Sequence, residues 1–172
     1  MDEEIKNNFI KAGRISAEVL DFGKGLIKKG ESLLEVTERI EKKIEEVGAE
    51  PAFPPQISCD NIAAHYCPLE DDSVVFENQV VSLDVGVHVN GAIGDNAVTV
   101  DLSGKHADLV KASQDALNAA IKVAEAKGTL GEIGNAIHDA ITAAGFSPIR
   151  NLSGHGLDIC NIHSAPSIPN FD

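Results

Sequence analysis

The sequence predicts an α+β fold, with helices packed on one face of a sheet, and three observations carry that expectation. Apolar residues recur at helical spacing over residues 3–29 and 33–47. A β-branched stretch over 80–100 turns back on itself at Asn90-Gly91, and helical spacing returns over 105–144. Two helices followed by strands thus begin twice along the chain, which predicts a pseudo-two-fold relation between halves. The 172 residues, 43% of them hydrophobic, can bury one substantial core. They read as one domain whose first unit covers about 1–104 and whose second begins near 105. The second unit reads as incomplete, because fewer than thirty residues follow its helices where more than fifty follow the first pair.

Each element has a local reason. Ile5, Phe9, Ile10, Val19, Leu20 and Ile27 line one side of the first helix, and Gly30 is expected to end it in a left-handed cap. Ser32 and Glu35 form an S-x-x-E capping box for the second helix, where Leu33, Val36, Ile40, Ile44 and Val47 recur until Gly48, and Glu38 faces Lys42 on the solvated side. Pro51, Pro54 and Pro55 forbid helix, leaving loops and short strands as far as Phe76. The runs 80–89 and 92–100 flank Asn90-Gly91, whose two turn positions must take positive φ, and so predict a hairpin. A third helix is expected over 105–127, closed by Gly128. A fourth is expected over 129–144, capped by Thr129 with Glu132 and closed by Gly145, with a strand starting at 149–152.

The net charge of −13 is uneven, since residues 51–104 contain no Lys or Arg at all. That argues against a phosphate-binding surface there and against nucleic acid as a direct ligand. No stretch of eighteen apolar residues is present, and the acidic start MDEEIKNN is unlike a signal peptide, so the expectation is a cytoplasmic protein with no membrane partner. Cys59, Cys67 and Cys160 form no C-x-x-C pair and are expected to be reduced thiols.

A two-residue turn at Asn90-Gly91 sets Asp84 opposite Ala97 and Asp95 opposite Gly86, making the two aspartates diagonal neighbours on one face, within about 7–8 Å. Val85, Val87, Val89, Val98 and Val100 form the other face, and Gly86 leaves room for a ligand. Two carboxylates so placed, with no base nearby, repel each other unless a cation lies between them. The alternative is a solvent-exposed strand face that the aspartates keep polar. Among the histidines, His155 lies between glycines in SGHGL, which allow close approach of the backbone to a ligand, and its imidazole suits a first-row metal. His163 follows in NIHSAP, and His65, in AAHYCP, is placed to donate to a substrate carbonyl. His88, His106 and His138 are assigned structural or surface roles. Cys59, His65 and Cys67 would make an unusual zinc set with no evident fourth ligand.

The stretch SLDVGVHVNGAIGDNAVTV, with AAHY upstream and LSGHGLDICNIH downstream, resembles the methionine aminopeptidases of the pita-bread fold, type 2 and archaeal-like, over nearly the whole chain. The resemblance implies an antiparallel-rich curved sheet and a pair of divalent metal ions (Mn, Fe, Co or Zn) held by two Asp, one His and two Glu. Carried over, Asp84 chelates one ion, Asp95 bridges both, His155 binds the other, and His65 and His163 contact the scissile amide of the substrate. It implies removal of the initiator methionine from the N-terminal peptides of nascent polypeptides, at or near the ribosome, by a monomer. Both glutamate ligands of the family fall beyond residue 172, and Glu125 and Glu132 are poor substitutes, so the 172 residues alone are expected to be an inactive fragment. The runner-up expectations are another pita-bread metallohydrolase, such as a proline-specific dipeptidase, and a non-catalytic pita-bread binding protein.

Overall fold

The computed structural model describes residues 2–171. In chain order its elements are helices α1 (Glu3–Leu26) and α2 (Leu33–Glu46), strands β1 (Glu50–Pro51), β2 (Gln56–Cys59), β3 (Val80–Val89) and β4 (Ala92–Asp101), helices α3 (Ala107–Val123) and α4 (Leu130–Ala143), and strands β5 (Gly154–Asp158) and β6 (Asn161–Ile168). They form two compact units, one of residues up to 105 together with 158–162, the other of 106–157 together with residues from 163 onward.

In the first unit β3 is the central strand. It pairs with β4 along its whole length on one edge and with β1 and β2 on the other, always antiparallel. The Asn90-Gly91 turn sets the register that its type demands, with Asn90 at φ +51 and Gly91 at φ +82. Val81, Leu83, Val85 and Val87 are fully buried on one face, in a core with Ile15 and Val19 of α1 and Val36, Ile40 and Ile44 of α2. Each such side chain contributes about 1.5–3 kcal/mol. Helix α1 lies so close over β4 that a Cβ at Gly94 would stand 2.4 Å from the Ala12 carbonyl oxygen. The Asn96 amide, on the same face, donates to the buried Ser16 hydroxyl and so gives this contact a polar partner.

Helix α1 ends earlier than the spacing predicts. Ile27 leaves it in an extended conformation, and Gly30, at φ +90, donates its N–H to the Phe76 carbonyl at 2.7 Å instead of capping the helix. The burial of Ile27 beneath the core explains the early exit. Helix α2 begins as expected, with the Ser32 hydroxyl accepting from Glu35 N at 3.4 Å, and turns out at Gly48. Lys42 pairs with Glu46 rather than Glu38, at 4.0 Å and on the exposed surface, where such a pair contributes little. The hairpin tip of residues 158–162 belongs to this unit, and Cys160 N donates to the Gly91 carbonyl at 2.8 Å.

In the second unit α3 and α4 pack together, with Ala112, Ala116 and Ala120 of α3 buried, while Gly134 of α4 lies against the C-terminal segment, where a Cβ would stand 2.4 Å from the Phe171 carbonyl oxygen. Helix α3 stops at Val123, so Gly128 is not its cap. The expected strand at 149–152 is absent: the Asn170 amide donates to the carbonyls of Ile149 and Leu152, at 3.3 and 2.9 Å, and so takes the acceptors that a ladder would have used. Pairing starts at Gly154, where β5 and β6 make a two-stranded sheet.

Helix α4 carries a complete capping box. Thr129 Oγ1 accepts from Glu132 N at 3.2 Å while Glu132 Oε2 accepts from Thr129 N at 2.7 Å. The Thr129 N–H, then its hydroxyl, holds the Glu132 carboxyl below its ordinary value of 4.5. A depressed carboxylate pKa stabilises the fold above the unfolded value, and the contribution is lost as pH falls through the folded one. Thermal melts of Glu132→Gln should therefore fall below wild type at pH 7, and the gap should close as pH falls below the ordinary carboxylate value and through the lowered folded one. A gap that persists at acid pH would show that the carboxylate charge is not what caps this helix.

Candidate metal centre

The register places Asp84 opposite Ala97 and Gly86 opposite Asp95, so the two aspartates are diagonal neighbours on the sheet face turned away from α1 and α2. Both are half-buried. Gly86 does not open space for a ligand, contrary to expectation: a Cβ there would stand 2.1 Å from Phe53 Cε1, so the Phe53 ring occupies the glycine's clearance. The glycine is needed for an aromatic neighbour, and Phe53 becomes an apolar wall beside the carboxylates. On the other edge Gln56 lies directly opposite Asp84.

His65 lies in the loop that follows β2, exposed and at φ +66, a left-handed conformation that costs a residue with a side chain about 1 kcal/mol or more. The loop holds it there through its neighbour. Tyr66 N donates to the Ser58 hydroxyl at 3.3 Å, Ile57 N donates to the Tyr66 carbonyl at 2.8 Å, and the Tyr66 hydroxyl donates to Asp72. That last bond raises the Tyr66 pKa, since losing the proton would leave two anions together.

The zinc alternative is not assembled. Burial, followed by the charges of Asp60 and Asp72, raises the Cys59 thiol, and burial followed by Glu41 raises Cys67, which disfavours the thiolates a zinc site requires. His88 Nε2 stands 3.9 Å from Glu50 Oε2, in keeping with a structural role.

In the second unit His155 and His163 come together, their rings edge to face with centroids 4.6 Å apart. His155 Nδ1 lies 3.1 Å from the Gly156 carbonyl, which makes Nδ1 the protonated nitrogen and directs the basic lone pair to Nε2. Gly156 beside it serves strand packing, because a Cβ there would stand 2.2 Å from the Ala165 carbonyl oxygen. Glu132 is engaged by its capping box and is unsuited to a ligand role.

The arrangement thus brings Asp84 to Asp95 within the first unit and His155 to His163 within the second. Among the described residues no group of three or more His, Cys, Asp or Glu is gathered about one point. The chemistry of the donors nevertheless fits a divalent cation: two carboxylates on one face, in a stretch without Lys or Arg, with oxygen and imidazole donors of the kind Mn, Fe, Co and Zn accept. Phe53 and Gln56 were missed at the sequence level. The alternation along β2 could have flagged Gln56, but nothing local to Phe53 shows that it folds back over Gly86.

The chain belongs to metallopeptidase family M24, whose family model matches residues 7–172. A methionine aminopeptidase of Archaeoglobus fulgidus is 48% identical over 172 residues, which are 99% of this chain and 59% of that protein. The crystal structure of the Thermotoga maritima methionine aminopeptidase superposes with a TM-score of 0.88 at 28% identity, covering 99% of this chain and 72% of that one. A prolidase from Pyrococcus furiosus, at 22% identity and a TM-score of 0.82 over 99% of this chain and 52% of its own, shares the fold. The fold is therefore the pita-bread one, and the chain spans about six tenths of the archaeal relative it matches. No helix among the described residues is long and apolar enough to cross a membrane.

Proposed function

We propose that this chain carries the first part of the catalytic centre of a methionine aminopeptidase, which releases the initiator methionine from nascent polypeptides in the cytoplasm. The observation that carries this is the pair Asp84 and Asp95, diagonal on the outer face of β3 and β4. The M24 match and the archaeal relative's name support the same reaction. Asp84, Asp95 and His155 would hold two divalent ions, drawn from Mn, Fe, Co or Zn. When bound, such a pair supplies Lewis acidity and brings the pKa of the attacking water towards ~7.

The other residues act on the substrate. His65 and His163 donate to the carbonyl of the scissile amide, positioning it and strengthening their bonds as negative charge develops on that oxygen. Phe53, beside the carboxylates, presents an apolar surface to the first side chain of the substrate. The absence of Lys and Arg over residues 51–104 suits a site that receives an N-terminal ammonium. The working form is a monomer that acts on peptides emerging from the ribosome.

Asp84, Asp95 and His155 are too few donors for two ions, so the 172-residue chain alone should cleave a Met-Ala-Ser peptide far more slowly than a chain extended to the length of the archaeal relatives. Rates measured with saturating Co²⁺ on samples of verified mass test this, and equal turnover by the two would defeat it. An extended chain that cleaves Met-Pro but leaves Met-Ala-Ser intact would replace the assignment with a proline-specific dipeptidase.

A further inference from the structure

Gln56 pairs directly with Asp84 across the β2–β3 ladder, so the two side chains stand on the same face with Cβ atoms about 5 Å apart. Its side-chain carbonyl oxygen is fully buried, and among the described residues no donor reaches it. A buried acceptor without a donor is destabilising and uncommon in folded proteins, and it persists where a ligand completes it. The surroundings offer no substitute. The neighbouring Ser58 hydroxyl accepts from Tyr66 N, Phe53 is apolar, and residues 51–104 contain no Lys or Arg.

We propose that Gln56 is a positioning residue of the metal centre, its Oε1 being the neutral oxygen that meets the cation held by Asp84, together with that cation's hydration shell. The inference rests on the metal-centre assignment above. A neutral amide oxygen suits the place, because it is a hard donor that adds no charge where two carboxylates already repel. An apolar residue of similar length would leave the cation one oxygen short. A carboxylate would keep the oxygen but add repulsion directly opposite Asp84.

The test is a Co²⁺ titration of the 172-residue chain, followed by calorimetry, alongside thermal melts without metal, for wild type, Asp84→Asn, Gln56→Met and Gln56→Glu. Gln56→Met should bind Co²⁺ at least ~10-fold more weakly while its metal-free melting temperature stays level or rises, since the buried acceptor is gone. Gln56→Glu should bind at least as tightly as wild type yet melt lower without metal. These opposed signs are what a packing role would not produce. If Gln56→Met keeps wild-type affinity while Asp84→Asn loses it, the proposal for Gln56 is overturned and the metal centre stands. If Gln56→Met melts lower, or fails to fold, and Gln56→Glu also binds more weakly, Gln56 is a packing residue and the proposal is again overturned. Unchanged affinity in Asp84→Asn would overturn the metal centre itself.

Discussion

Asp95→Asn, in a chain extended to the length of the archaeal relatives, is expected to lower kcat/KM for a Met-Ala-Ser peptide by at least ~10³-fold, about 4 kcal/mol of transition-state stabilisation. Its melting temperature should hold or rise. Both effects follow from one geometry: Asp95 is the diagonal neighbour of Asp84, so a neutral amide there would weaken the hold on a divalent cation that the pair would bind and also relieve carboxylate repulsion. If the face were merely solvated, the substitution would change neither quantity appreciably. Steady-state rates with metal held at stoichiometric amounts decide the matter, and wild-type turnover under those conditions would remove Asp95 from the site.

Gly94→Ala should have the largest effect on stability, about 3 kcal/mol or more by urea unfolding. The new methyl would meet the Ala12 carbonyl oxygen at 2.4 Å and Gly13 N at 2.7 Å, both backbone atoms of α1 that no rotamer change can move. Helix α1 would have to lift from β4, opening the contact that buries Val19 and Ala12. Gly13→Ala, where nothing lies within 4 Å, is the control and should be neutral or slightly stabilising. Equal stability of the two variants would show that α1 does not seat on β4 as described.

The contrast between those glycines shows what was legible beforehand. Local rules with one dominant cause read directly: the Asn90-Gly91 turn set the register, and hence the Asp84–Asp95 diagonal, before any tertiary contact was considered. The Thr129 capping box was equally local. Where a long-range contact decides, the sequence misled. Gly86 and Gly156 looked like clearance for a ligand, but they accommodate Phe53 and the Ala165 carbonyl, from residues 33 and 9 positions away. Gly30 looked like a helix cap, yet its N–H belongs to Phe76. The strand expected at 149–152 was lost to one side chain, Asn170, near the far end of the chain. A glycine announces that something approaches closely, and only the fold says what.

The Cys160–Gly91 hydrogen bond has a consequence for biosynthesis. Residues up to 105 form almost all of the first unit, yet 158–162 belong to it as well, and there Cys160 N donates to the Gly91 carbonyl. On a ribosome adding about 5–20 residues per second, the hairpin of β3 and β4 leaves the exit tunnel several seconds before its last partner does. Through that interval the Gly91 carbonyl lacks the Cys160 N–H that it accepts from in the finished fold. The loop closed by this contact is more than sixty residues long, but the loop-closure cost grows only logarithmically with length, so the delay is one of translation time more than of entropy.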